Sequence, residues 1–95
     1  MKIHVTDEAL RYFKEEMEAK EGDTIRFFAK YGGSTDLTQG FSVGVHMETV
    51  DRAAVEETVD GIHFVVSDQD DWLFQGQDVE VSVQNEEIVF SQAKQ

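Results

Sequence analysis

Four groups of residues carry side chains that could do chemistry. Gly40-Phe41-Ser42-Val43-Gly44 spells the G-x-S-x-G pattern of a serine nucleophile, and Asp60 and His63 follow in hydrolase order. That pattern works only where the serine sits on a strained strand-to-helix turn. Ser42 stands instead inside an alternating apolar–polar run that reads as a strand, so Gly44 is expected to mark a bulge or a close approach of packing. Asp68-Gln69-Asp70-Asp71 gathers carboxylates of the kind calcium takes, but the EF-hand offsets counted from Asp68 fall on Trp72 and Leu73, whose side chains have no oxygen to give. A solvated acidic turn is the plainer expectation. His4, His46 and His63 are well separated and all lie in strand patterns, so an iron site built from them needs a fold that brings them together. Gly32-Gly33-Ser34-Thr35 offers backbone donors to an anion, yet no lysine follows and no helix starts there. No acid, base and nucleophile converge in these patterns, and no enzyme is expected.

The chain contains no cysteine, which removes thiol chemistry, disulfides and cysteine-held metal, and fits a reducing compartment. No cofactor is expected. Twenty acidic residues against eight basic ones give a net charge of −12. Nucleic acids and anionic membranes are bound through lysine and arginine, so both are excluded as partners. The charge either keeps a small protein soluble or receives a basic protein partner. No apolar run approaches the ~20 residues that span a bilayer, and MKIHVTDEAL has no signal-peptide core, so the cytoplasm is expected.

These residues need a scaffold, and 95 residues allow one domain, 1–95, with apolar content sufficient for one core. Lys2 to Val5 reads as a short strand. Thr6 then caps a helix over about 6–20, with Asp7 and Glu8 in its first turn, Val5 and Leu10 as a hydrophobic staple, and Gly22 as its stop. Leu10, Phe13 and Met17 form its apolar face. The period then changes to two in Thr24–Tyr31 and again in Phe41–Glu48, which predicts strands on either side of a small, polar loop. Val55–Val59 and Ile62–Val66 flank Asp60-Gly61, a strong tight-hairpin signal. Ser67 to Gln77 reads as an acidic turn or short helix in which Trp72, Leu73 and Phe74 are mainly core. Asp78–Val83 and Ile88–Ser91 form a last hairpin. One helix followed by about six strands predicts an α+β fold, the helix packed on mainly antiparallel strands in a small β-sandwich.

In order and spacing, KIHVTDEALRYFKEEM, IRFFAKYGG, GFSVGV, VDGIHFVV and the final EIVF resemble the HesB-like, A-type iron–sulfur carrier family over roughly residues 2 to 91, and in particular its short Gram-positive branch. The resemblance implies three cysteine ligands in the carrier type, one directly after the double glycine and a Cys-Gly-Cys further on. Here Ser34 follows Gly32 and Gly33, and the Cys-Gly-Cys has no counterpart. A serine hydroxyl stays protonated at neutral pH and is a poor ligand for soft metals. The resemblance therefore implies the fold without the cluster, and two functions stand. One is a scaffold or regulator associated with iron–sulfur assembly that holds no cluster itself. The other is an acidic protein-interaction module with no link to that pathway. In either, the segment that replaces the first ligand, with Asp36 and Leu37, and the acids Asp68, Asp70 and Asp71 beside Trp72 form the expected partner surface.

Overall fold

A computed structural model describes residues 1–32 and 40–92; residues 33–39 and 93–95, and with them Gly33, Ser34, Asp36 and Leu37, lie outside the described residues. The chain opens with β1 (Ile3–Val5) and turns into α1 (Asp7–Glu16). Thr6 caps the helix as expected, its Oγ1 accepting from the Ala9 N–H at 3.2 Å, and Asp7 and Glu8 sit at the positive end of the helix dipole.

The helix ends one turn earlier than Gly22 suggests. Glu18 adopts φ 56°, and the Ala19 N–H donates back to the Phe13 carbonyl at 3.0 Å. The bond reaches back six residues, one further than a Schellman closure; left-handed Glu18 ends the helix, and the buried Ala19 packs as the apolar residue beyond the cap. Gly22 serves the next turn instead. Its φ is 96°, and its N–H donates to the Gly61 carbonyl at 2.8 Å.

The strands are β2 (Thr24–Tyr31), β3 (Phe41–Met47), β4 (Ala53–Val59), β5 (Ile62–Ser67), β6 (Val79–Gln84) and β7 (Glu87–Gln92), with a 3-10 turn at Asp71–Phe74 between β5 and β6. They form a four-stranded sheet, β3-β2-β5-β4, and a three-stranded sheet, β1-β6-β7. The expectation of mainly antiparallel strands holds in part: three of the five strand pairings are antiparallel, but both sheets are mixed. β1 runs parallel to β6 and β2 parallel to β5, while β2–β3, β4–β5 and β6–β7 are antiparallel. In the large sheet the cause is the connection from β3 to β4. These strands lie at opposite edges of their sheet, so residues 48–52 must cross it. They do so on its outer face, where Arg26 meets Glu48 and the Arg52 carbonyl accepts from the Asp68 N–H. β5 then returns from β4 to lie beside β2.

Between the layers, Phe13 of α1, Phe27 of β2 and Phe64 of β5 are fully buried, with ring centroids 5.2 to 6.2 Å apart. Lys14 Nζ reaches Asp60 at 2.8 Å and ties the helix to the Asp60-Gly61 turn, whose φ values of 51° and 78° are those of a tight hairpin.

Gly44 is a close approach rather than a bulge. It pairs with Phe28, whose ring lies over it, and a Cβ at this position would overlap that ring. Gly44→Val should therefore destabilise the fold by about 1–3 kcal/mol although valine is the better strand former. In thermal unfolding, the cost should shrink when Phe28→Ala is added. Full additivity of the two changes would refute the overlap.

Candidate functional site

β2 and β3 run on past the core before the chain enters residues 33–39. Gly32 and Gly40 close this end, the Gly32 N–H donating to the Gly40 carbonyl at 2.8 Å, both with φ 82°. Side chains alternate along a strand, so Tyr31 and Phe41 extend the same face as buried Phe27, but beyond the interior. Tyr31 is 82% exposed. Its ring stands edge-on to Phe41 at 5.5 Å, and Phe41 stands edge-on to Trp72 at 5.0 Å. The 3-10 turn divides its aromatic run: Leu73 and Phe74 are buried, whereas Trp72 is 48% exposed, its Nε1 donating to the Gln69 carbonyl at 2.9 Å. Tyr31, Phe41 and Trp72 thus form an aromatic ridge. Tyr31 was legible only as a strand residue; its exposure follows from β5 leaving β2 after Phe27.

The acids beside the ridge separate into two kinds. Asp68 and Asp71 are exposed. Asp70 does not belong to a partner surface. It is buried, its Oδ2 accepting from Arg26 Nη2 at 2.8 Å while its Oδ1 faces the Ala29 N–H at 3.4 Å. Ala29 lies just past the end of the β2–β5 ladder, so this carboxylate takes over where the partner strand stops. Arg26 also donates to Glu48 at 3.0 Å. The Asp70 hydrogen bond, against the desolvation of partial burial and with help from Glu48, pushes the guanidinium pKa further up. Beside this pair lies an open polar cavity of about 490 Å³, lined by Arg26, Glu48, Asp51, Arg52 and Asp68.

The other sequence patterns do not assemble. Ser42 is buried, its hydroxyl donating to the Gly32 carbonyl. Asp60 is held by Lys14, and His63 Nδ1 sits 2.9 Å from Thr58 Oγ1 and 3.3 Å from Glu56 Oε2. His4 faces Glu80 across the small sheet, and His46 faces Arg26 across the large one. Among the described residues no three of His, Cys, Asp and Glu come together as a metal site.

No family model matches the chain. It is 38% identical over 82 residues, 86% of each chain, to a Bacillus subtilis protein named pyruvate dehydrogenase inhibitor. An uncharacterised protein of Staphylococcus haemolyticus is 34% identical over 99% of this chain and all of its own. Among solved structures, Escherichia coli SufA, involved in the biosynthesis of iron–sulfur clusters, superposes with a TM-score of 0.57 over 98% of this chain and 85% of its own, at 16% identity. An iron–sulfur cluster does not fit this chain. Cluster iron is held by thiolates, which a cysteine-free chain cannot supply.

Proposed function

Because the chain belongs to the HesB-like family, in the branch of the Bacillus subtilis pyruvate dehydrogenase inhibitor, we propose that it is a protein-binding regulator that restrains pyruvate dehydrogenase. The observation that carries this reading is the 38% identity over 86% of both chains. The proposal assigns the chain no catalytic step, no cofactor and a place in the cytoplasm beside its target. Among the described residues no helix is long and apolar enough to cross a membrane.

The ridge of Tyr31, Phe41 and Trp72 has the character of a docking anchor. Aromatic side chains dominate the binding energy of protein interfaces, most of all where neighbouring groups keep water out. Asp68 and Asp71 beside it supply the field that draws in a basic surface. A second reading, a scaffold for iron–sulfur assembly that holds no cluster itself, rests on the likeness to SufA, which at 16% identity is a likeness of fold.

Pyruvate dehydrogenase captured on the immobilised protein tests the proposal. Tyr31→Ala with Trp72→Ala should weaken binding by about 2 kcal/mol or more, roughly thirtyfold in Kd. Neutralising Asp68 and Asp71 to asparagine should slow association, and raised salt should do the same as the Debye length falls from about 10 Å at 0.1 M to 3 Å at 1 M. Binding that ignores the aromatic pair, the charges and the salt would remove this surface from the account.

A further inference from the structure

β3 is an edge strand among the described residues, and hydrogen bonds at its two ends show which of its backbone groups point away from β2. The Glu48 N–H donates to the Thr24 carbonyl at 3.1 Å, and the Gly32 N–H donates to the Gly40 carbonyl at 2.8 Å. Both pairs lie in the register that sets Ile25 opposite Met47 and Tyr31 opposite Phe41. Antiparallel ladders alternate bonded and non-bonded pairs, so Ser42, Gly44 and His46 spend their N–H and C=O groups on β2. Phe41, Val43, Val45 and Met47 turn theirs outward to an edge where no described strand lies. Their side chains face the inner layer but are only half-buried, and Met47 is 38% exposed.

Proteins ordinarily blunt such edges with charge or brevity. β4 carries Glu56 and Glu57, β7 carries Glu87, and β1 has three residues. β3, FSVGVHM, has no acidic or basic residue except His46, in a chain of net charge −12. An acid stands at each end of this uncharged edge, although Glu48 already shares its charge with Arg26 at 3.0 Å. Glu48 follows Met47, and at the other end Asp71 adjoins Trp72, whose ring touches Phe41.

We propose that the partner binds by adding an extended strand to the outer edge of β3, with apolar residues at alternate positions over Val43 and Val45 and lysine or arginine at either end. This rests on the regulatory reading above and specifies how the target is held. Outward N–H and C=O groups supply the pairing, the half-buried inner face supplies the pockets, and the acids select a basic strand. A second copy of the chain fits the edge poorly, since it would bring together two chains of charge −12.

Val43→Pro removes an outward N–H and no bond to β2, a change that edge strands accept. It should weaken binding of pyruvate dehydrogenase by about tenfold or more, whereas Val43→Ala should stay within about threefold. Hydrogen exchange on the wild-type chain gives the second readout, independent of whether the proline variant folds. Complex formation should slow exchange at Phe41, Val43, Val45 and Met47 and leave Ser42, Gly44 and His46 as slow as before. A complex in which the first four amides stay unprotected would overturn the proposal, as would a folded Val43→Pro that binds normally. If pyruvate dehydrogenase does not bind at all, the regulatory reading fails, and the edge is judged on a synthetic peptide, Lys-Val-Thr-Val-Thr-Val-Lys. Protection of the same amides by this peptide, and not by its glutamate-ended twin, supports strand addition to a basic segment. Equal or absent protection refutes it. A free chain that sediments as a dimer with these amides already protected would show the occupant to be a second copy, and refute it too.

Discussion

Phe27→Ala should cost about 3–5 kcal/mol, a large part of the roughly 5–15 kcal/mol that holds a small domain together. Phe27 is fully buried and meets the rings of Phe13, Phe64 and Phe90, the last at 5.1 Å. These rings come from the helix, β5 and β7, so one side chain joins both sheets to α1. Truncation removes the buried ring and leaves a cavity that three separate elements would have to move to fill. At roughly 4–8 °C per kcal/mol for a domain of this size, melting should fall by at least about 12 °C. Urea unfolding with an unchanged slope would attribute the loss to stability rather than to a looser native state. A cost below about 1 kcal/mol would mean that Phe27 is not the junction of the layers.

Arg26→Met should be nearly as damaging, by about 3 kcal/mol, though it removes no core residue. The loss strands the buried carboxylate of Asp70, which then keeps only the long contact to the Ala29 N–H. Leaving a buried charge uncompensated costs more than the intact pair contributes. Water reaches part of Arg26, whose side chain is 23% exposed, and this holds the figure to the lower end of the range. Asp70→Asn in the same background should recover part of the loss, because it removes the stranded charge and keeps the shape. The folded-state pKa of Arg26 lies above its unfolded value, so its contribution is complete throughout the neutral range and is lost as pH rises into strong alkali. No recovery in the double variant would show that the cost comes from lost packing of the arginine stem instead.

Local features of the chain were legible in the sequence because their causes are local. Thr6 caps the helix through a bond three residues away, and the period-two runs of β2 and β3 are set by alternate burial. Asp60-Gly61 makes its hairpin because both residues accept positive φ. The errors have non-local causes. Gly22 looked like the helix stop, but burial of Ala19 pulled Glu18 into the left-handed region first. The parallel pairing of β2 with β5 depends on where residues 48–52 cross the sheet, which no hydrophobic period reports. The acidic turn shows the same limit at the candidate site. Asp68, Asp70 and Asp71 are alike as letters, yet only Asp70 falls opposite Arg26, 44 residues earlier, at the point where a ladder ends. The likeness to the HesB-like family was readable because the order of segments survives where the ligands do not.

The most direct measurement is the activity of purified pyruvate dehydrogenase titrated with the purified protein. Activity should fall as the protein reaches the enzyme's concentration, and the Tyr31→Ala, Trp72→Ala variant should need roughly thirtyfold more to match it. Undiminished activity in the presence of excess folded protein would contradict the account.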